Sequence, residues 1–572
     1  MSDILNYFPK TDKIKEPRQC QIDVLNQVDE LIESGETKII ICAPTGSGKS
    51  SIAVALLNKY GGIYTSPLNV LVDQISDDFE VRYLTTLKGR EHYQCNANMN
   101  VSCAEGYCQM NKCSKPVVTK DLSGNIIKEY PKRNCKDCLE FSCPCHSCEY
   151  TKQKVKFKKS NIANTNFTMF QLGITNDKDM IVIDECDDIE SFVRMNNSFT
   201  INEYLMYKDF ADHVNVLMET EINMDMEIAE LEIKIENEID NAVAIKLFKE
   251  CNTLKRKRAN ILKLLDDFEH NNKIWCVTHP DNRTTKYEPI VIDRFLNHLL
   301  ENKIVILMSA TPIKLEGYKI IEAGSNFPTE LRQWKHIPLG LMSYNNREYT
   351  IPIVAQFIKS LRGKTLVHCN SYAVANSISK SLSILGIDAL TQVNYDSMHP
   401  MECGRKDIVT RFKESVNENE IMLSVNLARG VDFPEDDITN NVFCVLPYPY
   451  HEDPLVKAKN KIFGTQWQNI DMANTIMQAY GRVNRNDKKT TMTYIVCSDF
   501  NNPDGRGKAK NWFGNNKYLF YDWFLDAEHH VNNGMYLCPV CKKQVDYLYV
   551  VSYEDYQGKI CHGCNKKKKY KR

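Results

Sequence analysis

The chain has 572 residues, of which 43% are hydrophobic and 25% charged, and its formal net charge at pH 7 is -1. That length is too great for one hydrophobic core, and the composition excludes disordered and fibrous classes, so we expect several globular domains. The near-zero net charge neither supports nor excludes a polyanionic partner. No run approaches the roughly 18 apolar residues of a membrane span, which predicts a soluble, intracellular protein with no membrane partner.

The first functional pattern is a phosphate-binding loop. Residues 38–42 are a short β-branched run that predicts a buried parallel strand, and the sequence APTGSGKS follows at once. In such a loop glycines let the backbone approach phosphate, Lys49 reaches the β- and γ-phosphates, and Ser50 can ligate Mg²⁺. Just upstream, Arg18 and Gln21 resemble the adenine-recognising motif of superfamily 2 helicases, although an ordinary surface helix explains them almost as well.

A second buried run, MIVID, ends in the acidic sequence DECD at 184–187. It resembles the DEAD/DEAH box, in which Asp184 would hold Mg²⁺ and Glu185 would position the attacking water. The alternative, a charge pair at a helix N-terminus, is weakened by the phosphate loop upstream. The residues predicted to bind ATP and Mg²⁺ are Arg18, Gln21, Thr45, Gly46, Ser47, Gly48, Lys49, Ser50 and Asp184.

Nine cysteines lie between the loop and the acidic box. They are Cys95, Cys103, Cys108, Cys113, Cys135, Cys138, Cys143, Cys145 and Cys148. Intracellular thiols stay reduced, so a metal explains this density better than disulfides, but spacing alone does not separate an iron-sulfur cluster from zinc.

The sequence LKGREHYQC at 87–95 resembles the phrase that opens the iron-sulfur domain of XPD and DinG helicases, and Cys148-Glu149-Tyr150 resembles its close. The resemblance covers roughly residues 15–500, and it implies a [4Fe-4S] cluster with Cys95 and Cys148 as its outer ligand pair. The identity of the inner ligand pair is not determined, because the cysteines at 103, 108 and 113 and those at 138, 143 and 148 have the same five-residue spacing. The candidate inner ligands are Cys103, Cys108, Cys113, Cys138 and Cys143.

Apolar residues at helical spacing over 220–269 predict a helical hairpin. In XPD-like enzymes this slot holds the arch domain, which with the iron-sulfur domain encloses single-stranded DNA. A coiled-coil hairpin used for assembly is the alternative.

The remaining motor motifs follow in helicase order. Ser309-Ala310-Thr311 resembles the motif that couples hydrolysis to strand movement, and 421–434, with Gly430 and Asp432, is a strand followed by a polar turn. The segment from Gln478 to Arg485 resembles the Q-x-x-G-R-x-x-R motif, whose arginines, Arg482 and Arg485, would act on the γ-phosphate. Lys49, Asp184, Glu185, Gln478, Arg482 and Arg485 are therefore the predicted catalytic residues.

The C-terminal region contains two further patterns. Aromatic residues crowd 512–524 and favour a packed helical face over a base-stacking platform. Cys538, Cys541, Cys561 and Cys564 then form a CxxC-x19-CxxC pattern, which is a strong zinc-ribbon signal. The basic tail at 566–572 is compatible with phosphate binding or with solubility alone.

These patterns predict an α/β protein with two RecA-like motor domains, an iron-sulfur insert, a helical arch-like insert and a zinc ribbon. The expected domains are motor domain 1 at 1–86, 152–189 and 286–340, the cysteine-rich insert at 87–151, the arch-like insert at 190–285, motor domain 2 at 341–505, a linker at 506–535 and the zinc ribbon with its tail at 536–572.

The predicted function is an ATP-dependent DNA helicase that acts on single-stranded and forked DNA in DNA repair or replication. The family resemblance implies translocation in the 5′ to 3′ direction. An RNA helicase or duplex remodeller is one alternative. An ATP-gated scaffold, with protein partners bound through the arch or zinc ribbon, is another.

Overall fold

The computed structural model describes most of the chain. The described residues are 3–10, 16–44, 46–67, 69–79, 84–96, 101–105, 118–120, 126–129, 148–173, 178–206, 208, 210–238, 240–269, 275–292, 295–296, 300–312, 317–325, 327–391, 405–425, 438–483, 490–502, 509–528, 536–537, 544–545, 549–553 and 556–560. These residues divide between a first unit, Met1–Ala323 with Tyr450–Gly464, and a second unit, Gly324–Pro449 with Thr465–Arg572.

The helices and strands alternate along much of the chain, as in an α/β protein. The helices are α1 (Gln19–Glu33), α2 (Lys49–Tyr60), α3 (Asn69–Asp78), α4 (Glu149–Lys159), α5 (Phe167–Gln171), α6 (Ile189–Asn197), α7 (Phe210–Asn237), α8 (Asn241–Glu269), α9 (Arg347–Ser360), α10 (Tyr372–Ile384), α11 (Arg405–Glu414), α12 (Pro454–Phe463), α13 (Gln466–Val483), α14 (Trp512–Asn516) and α15 (Asp522–Leu525). The strands are β1 (Lys38–Cys42), β2 (Gly62–Ser66), β3 (Leu84–Leu87), β4 (Val118–Lys120), β5 (Ile126–Glu129), β6 (Ile162–Asn166), β7 (Met180–Asp184), β8 (Phe199–Ile201), β9 (Trp275–Thr278), β10 (Thr285–Pro289), β11 (Ile304–Ser309), β12 (Lys319–Glu322), β13 (Trp334–Gly340), β14 (Thr365–Cys369), β15 (Leu390–Thr391), β16 (Ile421–Val425), β17 (Asn440–Phe443), β18 (Met492–Cys497), β19 (Tyr536–Leu537), β20 (Gln544–Val545), β21 (Tyr549–Tyr553) and β22 (Tyr556–Ile560).

A parallel sheet with strand order β12-β1-β11-β7-β2-β6-β3 is the centre of the first unit. The isoleucines of β1 are fully buried, and this continuous β-branched run suits a strand that is covered on both faces. Because the strands are parallel, their carboxyl ends meet at one edge of the sheet. That edge receives the phosphate loop after β1, the acidic box after β7 and the Ser309 motif after β11.

A second parallel sheet, with order β13-β18-β17-β14-β16-β15, is the centre of the second unit. Trp334 on β13 is fully buried against an aromatic cluster, and its ring stacks on Phe524 with 5.0 Å between centroids. Phe513 and Trp523 are also buried. Apart from the exposed Tyr518, the aromatic residues at 512–524 are therefore buried in a packed face, as the sequence predicted.

Helices α7 and α8 form the helical hairpin expected over 220–269. Ile228, Leu231 and Ile235 of α7 pack with Ala244 and Cys251 of α8. Ion pairs also join the two helices, including Lys255–Glu232 at 2.5 Å. The hairpin stands on a three-stranded antiparallel sheet of order β8-β10-β9. This sheet lies at the foot of the hairpin within the first unit, so we call it the hairpin base.

Three antiparallel strand pairs complete the described elements: β4 with β5, β19 with β20, and β21 with β22. The last two pairs occupy the segment predicted to be a zinc ribbon. Within the described residues, no helix is both long enough and apolar enough to cross a bilayer.

Candidate active site

The phosphate loop has the predicted strand–loop–helix form. β1 ends at Cys42, and α2 begins at Lys49 directly after Gly48, whose φ of 83° is left-handed. The N-terminus of a helix carries partial positive charge and directs N–H groups outward, so the start of α2 can meet an anion in the loop. A Cβ at position 48 would lie 2.2 Å from Nε2 of Gln21, so both backbone conformation and space require glycine there. Thr45 lies outside the described residues.

Arg18 and Gln21 brace this loop from the start of α1. The Arg18 guanidinium donates to the carbonyl of Gly46 at 3.0 Å, and the Gln21 amide donates to the carbonyl of Gly48 at 3.3 Å. Gln21 also accepts from the Arg18 N–H at 2.9 Å and is buried. The two residues proposed to recognise adenine thus lie beside the phosphate loop and restrain its backbone.

The acidic box places two carboxylates in different environments. Asp184, at the end of β7, is 4% exposed, whereas the side chain of Glu185 is 38% exposed. Burial raises the pKa of Asp184, and the neighbouring Glu185 charge raises it further. Lys49 opposes this shift, and its ammonium lies 3.8 Å from Oε1 of Glu185. The lysine and both acids therefore form one electrostatic group.

Glu185 has an unusual backbone conformation, with φ 49° and ψ 48°. Left-handed geometry at a residue with a Cβ costs on the order of 1 kcal/mol. The turn directs the chain from β7 into a short 3-10 helix, Cys186–Asp188, and then into α6. The strain is thus located at the residue proposed to position water.

Tyr64 is a site residue that the sequence analysis missed. Its hydroxyl, at the centre of β2, donates to Oδ2 of Asp184 at 2.6 Å, and the Glu185 N–H donates to Oδ1 at 2.9 Å. Burial and the nearby Asp184 charge raise the pKa of Tyr64, so the phenol stays protonated and remains a donor. The contact depends on β2 lying next to β7, which the local sequence does not reveal.

Ser309 connects the acidic box to β11. Its hydroxyl donates to Oδ1 of Asp187, and its oxygen accepts the N–H of Thr311 at 3.2 Å. The carbonyl of Ala310 accepts from the Cys42 thiol at 3.4 Å, beside the phosphate loop. The predicted coupling motif is therefore hydrogen-bonded to both the acidic box and the strand that precedes the phosphate loop. Asp187, like Tyr64, is a residue of the site that the sequence analysis did not single out.

In the second unit, α13 carries Gln478 and Arg482. Gln478 is buried, and Arg482 lies close enough to His368 for its charge to influence that imidazole. Burial, helped by Arg482, lowers the pKa of His368 to about 4, so the ring is neutral at pH 7. The ring stacks on Phe443 and its Nε2 bonds Oδ1 of Asn441 at 2.8 Å. Arg485, Gly430 and Asp432 lie outside the described residues.

Sequence and fold comparisons agree with this geometry. The model of the helicase C-terminal domain matches residues 354–516, and that of the type III restriction enzyme res subunit matches residues 14–191. A probable ATP-dependent helicase of Methanocaldococcus jannaschii is 22% identical over 86% of this chain and 93% of its own length. An XPD helicase structure superposes with a TM-score of 0.54 at 16% identity, covering 88% of this chain and 98% of that one.

These matches support an XPD-like helicase of superfamily 2. A local match is also found to the DEAD-box ATP-dependent RNA helicase 13 of Oryza sativa, at 36% identity over 15% of this chain and 10% of that protein.

Three of the helicase's candidate cluster ligands are described, and all three are buried in one apolar cluster: Cys95, Cys103 and Cys148. The Cys103 thiol lies 3.5 Å from the Cys148 sulfur and 3.1 Å from the carbonyl of Gln94. Burial and the Cys148 thiol raise the pKa of Cys103 to about 12. Cys103 thus lies in the same buried cluster as Cys95 and Cys148, the predicted outer ligand pair.

The remaining candidate metal ligands are not among the described residues. Cys108, Cys113, Cys138 and Cys143 lie outside the described residues, as do Cys538, Cys541, Cys561 and Cys564. Among the residues that are described, no group of three or more histidine, cysteine, aspartate or glutamate side chains could hold a metal ion. The described part of the helicase therefore contains part of the predicted ligand sets but no complete metal site.

Proposed function

We propose that this helicase hydrolyses ATP to translocate on single-stranded DNA, in the 5′ to 3′ direction, and thereby unwinds duplex DNA. The observation that carries the proposal is the group formed by Lys49, Asp184 and Glu185 at the carboxyl edge of the first sheet. These residues combine phosphate recognition with the carboxylates that hydrolysis requires. The similarity to a probable ATP-dependent helicase over nearly the whole chain supports the same activity.

The ATP step begins with an exchange of partners by Lys49. Its ammonium lies 3.8 Å from Oε1 of Glu185, and with ATP bound it would turn to the β- and γ-phosphates. Glu185 would then be free to orient a water molecule towards the γ-phosphate. Arg482 and Arg485 are assigned to the charge that develops there, as arginine fingers are in other phosphoryl-transfer enzymes.

Asp184 and Ser50 fit a Mg²⁺ site. Asp184 is a buried carboxylate with a raised pKa, so a divalent cation would relieve the cost of its charge. Tyr64 and the Glu185 N–H each occupy one of its oxygens and hold the carboxylate in a fixed direction. Bound Mg²⁺ would supply charge stabilisation to the phosphates.

The Ser309–Asp187 hydrogen bond is the proposed start of coupling between hydrolysis and strand movement. Asp187 is two residues beyond Glu185, so a change in the acidic turn reaches β11 through one side-chain contact. We assign Gly430 and Asp432 to the same process by resemblance alone.

We further propose that the cysteine-rich insert holds a [4Fe-4S] cluster and acts as the wedge that separates the duplex. The contact between Cys103 and Cys148, with Cys95 in the same buried cluster, supports these three thiols as ligands. The fourth ligand would come from Cys108, Cys113, Cys138 or Cys143. The hairpin α7–α8 is assigned to the arch, and the cysteine pairs around β19–β22 to a zinc ribbon.

Strand separation on forked DNA tests the proposal. The substrates carry either a 5′ or a 3′ single-stranded tail, and the protein is purified anaerobically as wild type and as Cys95→Ser. Opening of 5′-tailed forks by wild type, with ATPase retained but opening lost in Cys95→Ser, is the expected result. Iron, labile sulfide and zinc assays on the same samples identify the metals, and zinc without iron would overturn the cluster.

Other outcomes separate the rival functions. DNA-stimulated hydrolysis without opening would indicate a translocase or remodeller. Stimulation by RNA and not by DNA would indicate an RNA helicase, the class named by the short rice match. An assembly function that survives Glu185→Gln would indicate a scaffold, because a motor needs hydrolysis.

A further inference from the structure

The segment Tyr450–Gly464 belongs to the first unit, although the chain on both sides of it belongs to the second. Strand β17 precedes it, and α13, which carries Gln478 and Arg482, follows it. The sequence prediction placed the whole of 341–505 in motor domain 2. In the structure the helix α12 belongs to the first unit, and only Gly464 and Thr465 separate it along the chain from the arginine-bearing helix of the second.

Helix α12 packs on strand β9 of the hairpin base. The Asp453 side chain caps it by accepting the N–H groups of Leu455 at 2.7 Å and Val456 at 3.3 Å. Leu455 also lines a cavity of about 490 Å³ with Arg194 and Phe199. Yet no residue of α12 is fully buried, so apolar packing alone gives it a weak attachment.

The strongest described contact of α12 is an ion pair. Nζ of Lys459 lies 2.5 Å from Oε1 of Glu190, and the lysine side chain is only 12% exposed. The same Glu190 oxygen pairs with Arg194, whose Nε donates to the carbonyl of Pro289 on β10 at 3.0 Å. Burial raises the pKa of Glu190 but the two cations lower it by more, so the carboxylate is ionised at neutral pH.

The two ends of this ion pair lie close in sequence to functional residues. Glu190 is in the first turn of α6, five residues after Glu185, and only the short 3-10 helix intervenes. Lys459 lies seven residues before Gln466, the first residue of α13. One end of the ion pair therefore lies close along the chain to the acidic box, and the other end lies close along the chain to the helix of Arg482.

We infer that the Glu190–Lys459 ion pair is a positioning contact that couples the state of the acidic box to the helix carrying Arg482. Neither residue touches the reacting groups in this proposal. Glu190 would follow the acidic turn as ATP is bound and hydrolysed, and Lys459 would pass that change through α12 to α13. The inference rests on the proposed ATP-driven motor function and extends it to two residues outside the recognised motifs.

Substitution of Lys459 tests the inference, and the same helix offers a matched control. Lys459→Met removes the charge but keeps an unbranched apolar chain of similar length. Lys457→Met removes an ion pair with Glu452 that has the same 2.5 Å distance but is exposed on both sides. Lys459→Arg keeps the positive charge and should restore the contact.

The measurements are ATPase kinetics with and without single-stranded DNA or RNA, fork opening per ATP consumed, and thermal unfolding. For Lys459→Met we expect strand-stimulated kcat to fall about tenfold, with basal hydrolysis and the KM for ATP within about twofold of wild type. Lys457→Met should behave as wild type, and Lys459→Arg should recover most of the loss. Glu190→Gln combined with Lys459→Met should be no worse than Glu190→Gln alone, because Glu190→Gln already removes the Lys459 ion pair together with the Arg194 pair.

Two outcomes overturn the inference while leaving the motor intact: Lys459→Met matching Lys457→Met, or a loss of basal and stimulated hydrolysis in proportion to lowered thermal stability. The second would make the pair merely structural. If wild type shows no stimulation by any strand, the proposed function itself fails and the inference falls with it.

Discussion

The two parallel sheets carry their functional residues in different electrostatic conditions. At the edge of the first sheet, the positive charge of Lys49 lies beside the carboxylates of Asp184 and Glu185 and compensates their negative charge. In the second unit, the charge of Arg482 on α13 acts on the imidazole of His368, which is neutral at pH 7. The charged residues of the first sheet are thus paired with one another. Near Arg482, by contrast, His368 is neutral and adds no second positive charge.

This difference suggests separate roles in hydrolysis for the charged residues of the first unit and for Arg482 of the second. Charge pairing in the first unit lowers the cost of desolvating the site, but ATP must then displace Glu185 from Lys49. A neutral histidine beside Arg482 avoids repulsion that a protonated ring would add. Four predictions test the contrast, beginning with the largest expected effect.

Arg482→Ala should reduce ATP turnover by about 10⁴-fold while leaving ATP affinity within severalfold, because an arginine finger acts mainly on transition-state charge. Single-turnover hydrolysis and equilibrium nucleotide binding measure the two quantities. Arg482→Lys is the control, since it retains the charge but not the planar fork, and should recover only part of the rate. Equal losses in binding and turnover would place Arg482 in substrate binding instead.

Glu185→Gln should slow hydrolysis by about 10³-fold, because the amide cannot take up a proton from the attacking water. ATP binding should be retained or improved, since the substitution also removes the Lys49–Glu185 ion pair that nucleotide has to break. The same two assays apply. Weaker nucleotide binding in this variant would contradict the proposed exchange of Lys49 between partners.

Acid should destabilise the second unit through its buried histidines. Burial lowers the pKa of both His336 and His368 from 6.5 to about 4. Their neutral forms contribute stability that is present above pH 6.5 and is lost as pH falls towards about 4, by roughly 3 kcal/mol per histidine at most. Hydrogen exchange of β14 and β18 at pH 5 and pH 7.5 measures this, and His368→Gln should flatten the pH dependence. An unchanged pH dependence in that variant would contradict the assignment.

Tyr64→Phe should raise the Mg²⁺ concentration needed for half-maximal ATPase by about tenfold, as loss of a partner behind a metal ligand commonly does. Tyr60→Phe is a matched control, because the Tyr60 hydroxyl also donates to a buried aspartate, Asp29, away from the phosphate loop. The control should lower stability without changing the Mg²⁺ requirement. If both variants shift that requirement equally, Tyr64 acts only through general stability.

Sequence patterns predicted the parts of the site that are continuous in the chain. The phosphate loop, the acidic box and the Ser309 motif each follow one buried strand, and parallel pairing brings those strand ends together. The α7–α8 hairpin was also predictable, because its apolar residues recur at helical spacing over many turns. In each case local pattern and tertiary contact favour the same structure.

Contacts between distant segments were not predictable in the same way. Tyr64 meets Asp184 only because β2 lies beside β7, and Asp187 meets Ser309 across more than a hundred residues. The approach of Cys103 to Cys148 brings together two thiols that are 45 residues apart in the sequence, and cysteine spacing alone could not predict that contact. The position of α12 likewise depends on an ion pair with no sequence signature.

Residues 450–464 return the chain to the first unit, and this limits how the protein can be divided into separately expressed fragments. The chain passes between its two units three times, after Ala323, after Pro449 and after Gly464, so no single proteolytic cut releases either unit whole. A recombinant fragment ending at Ala323 would lack α12 and leave Glu190 without Lys459, while one starting at Gly324 would carry α12 without its binding surface. Separate expression of a complete first unit therefore requires α12 to be supplied as a second fragment or joined by an engineered linker.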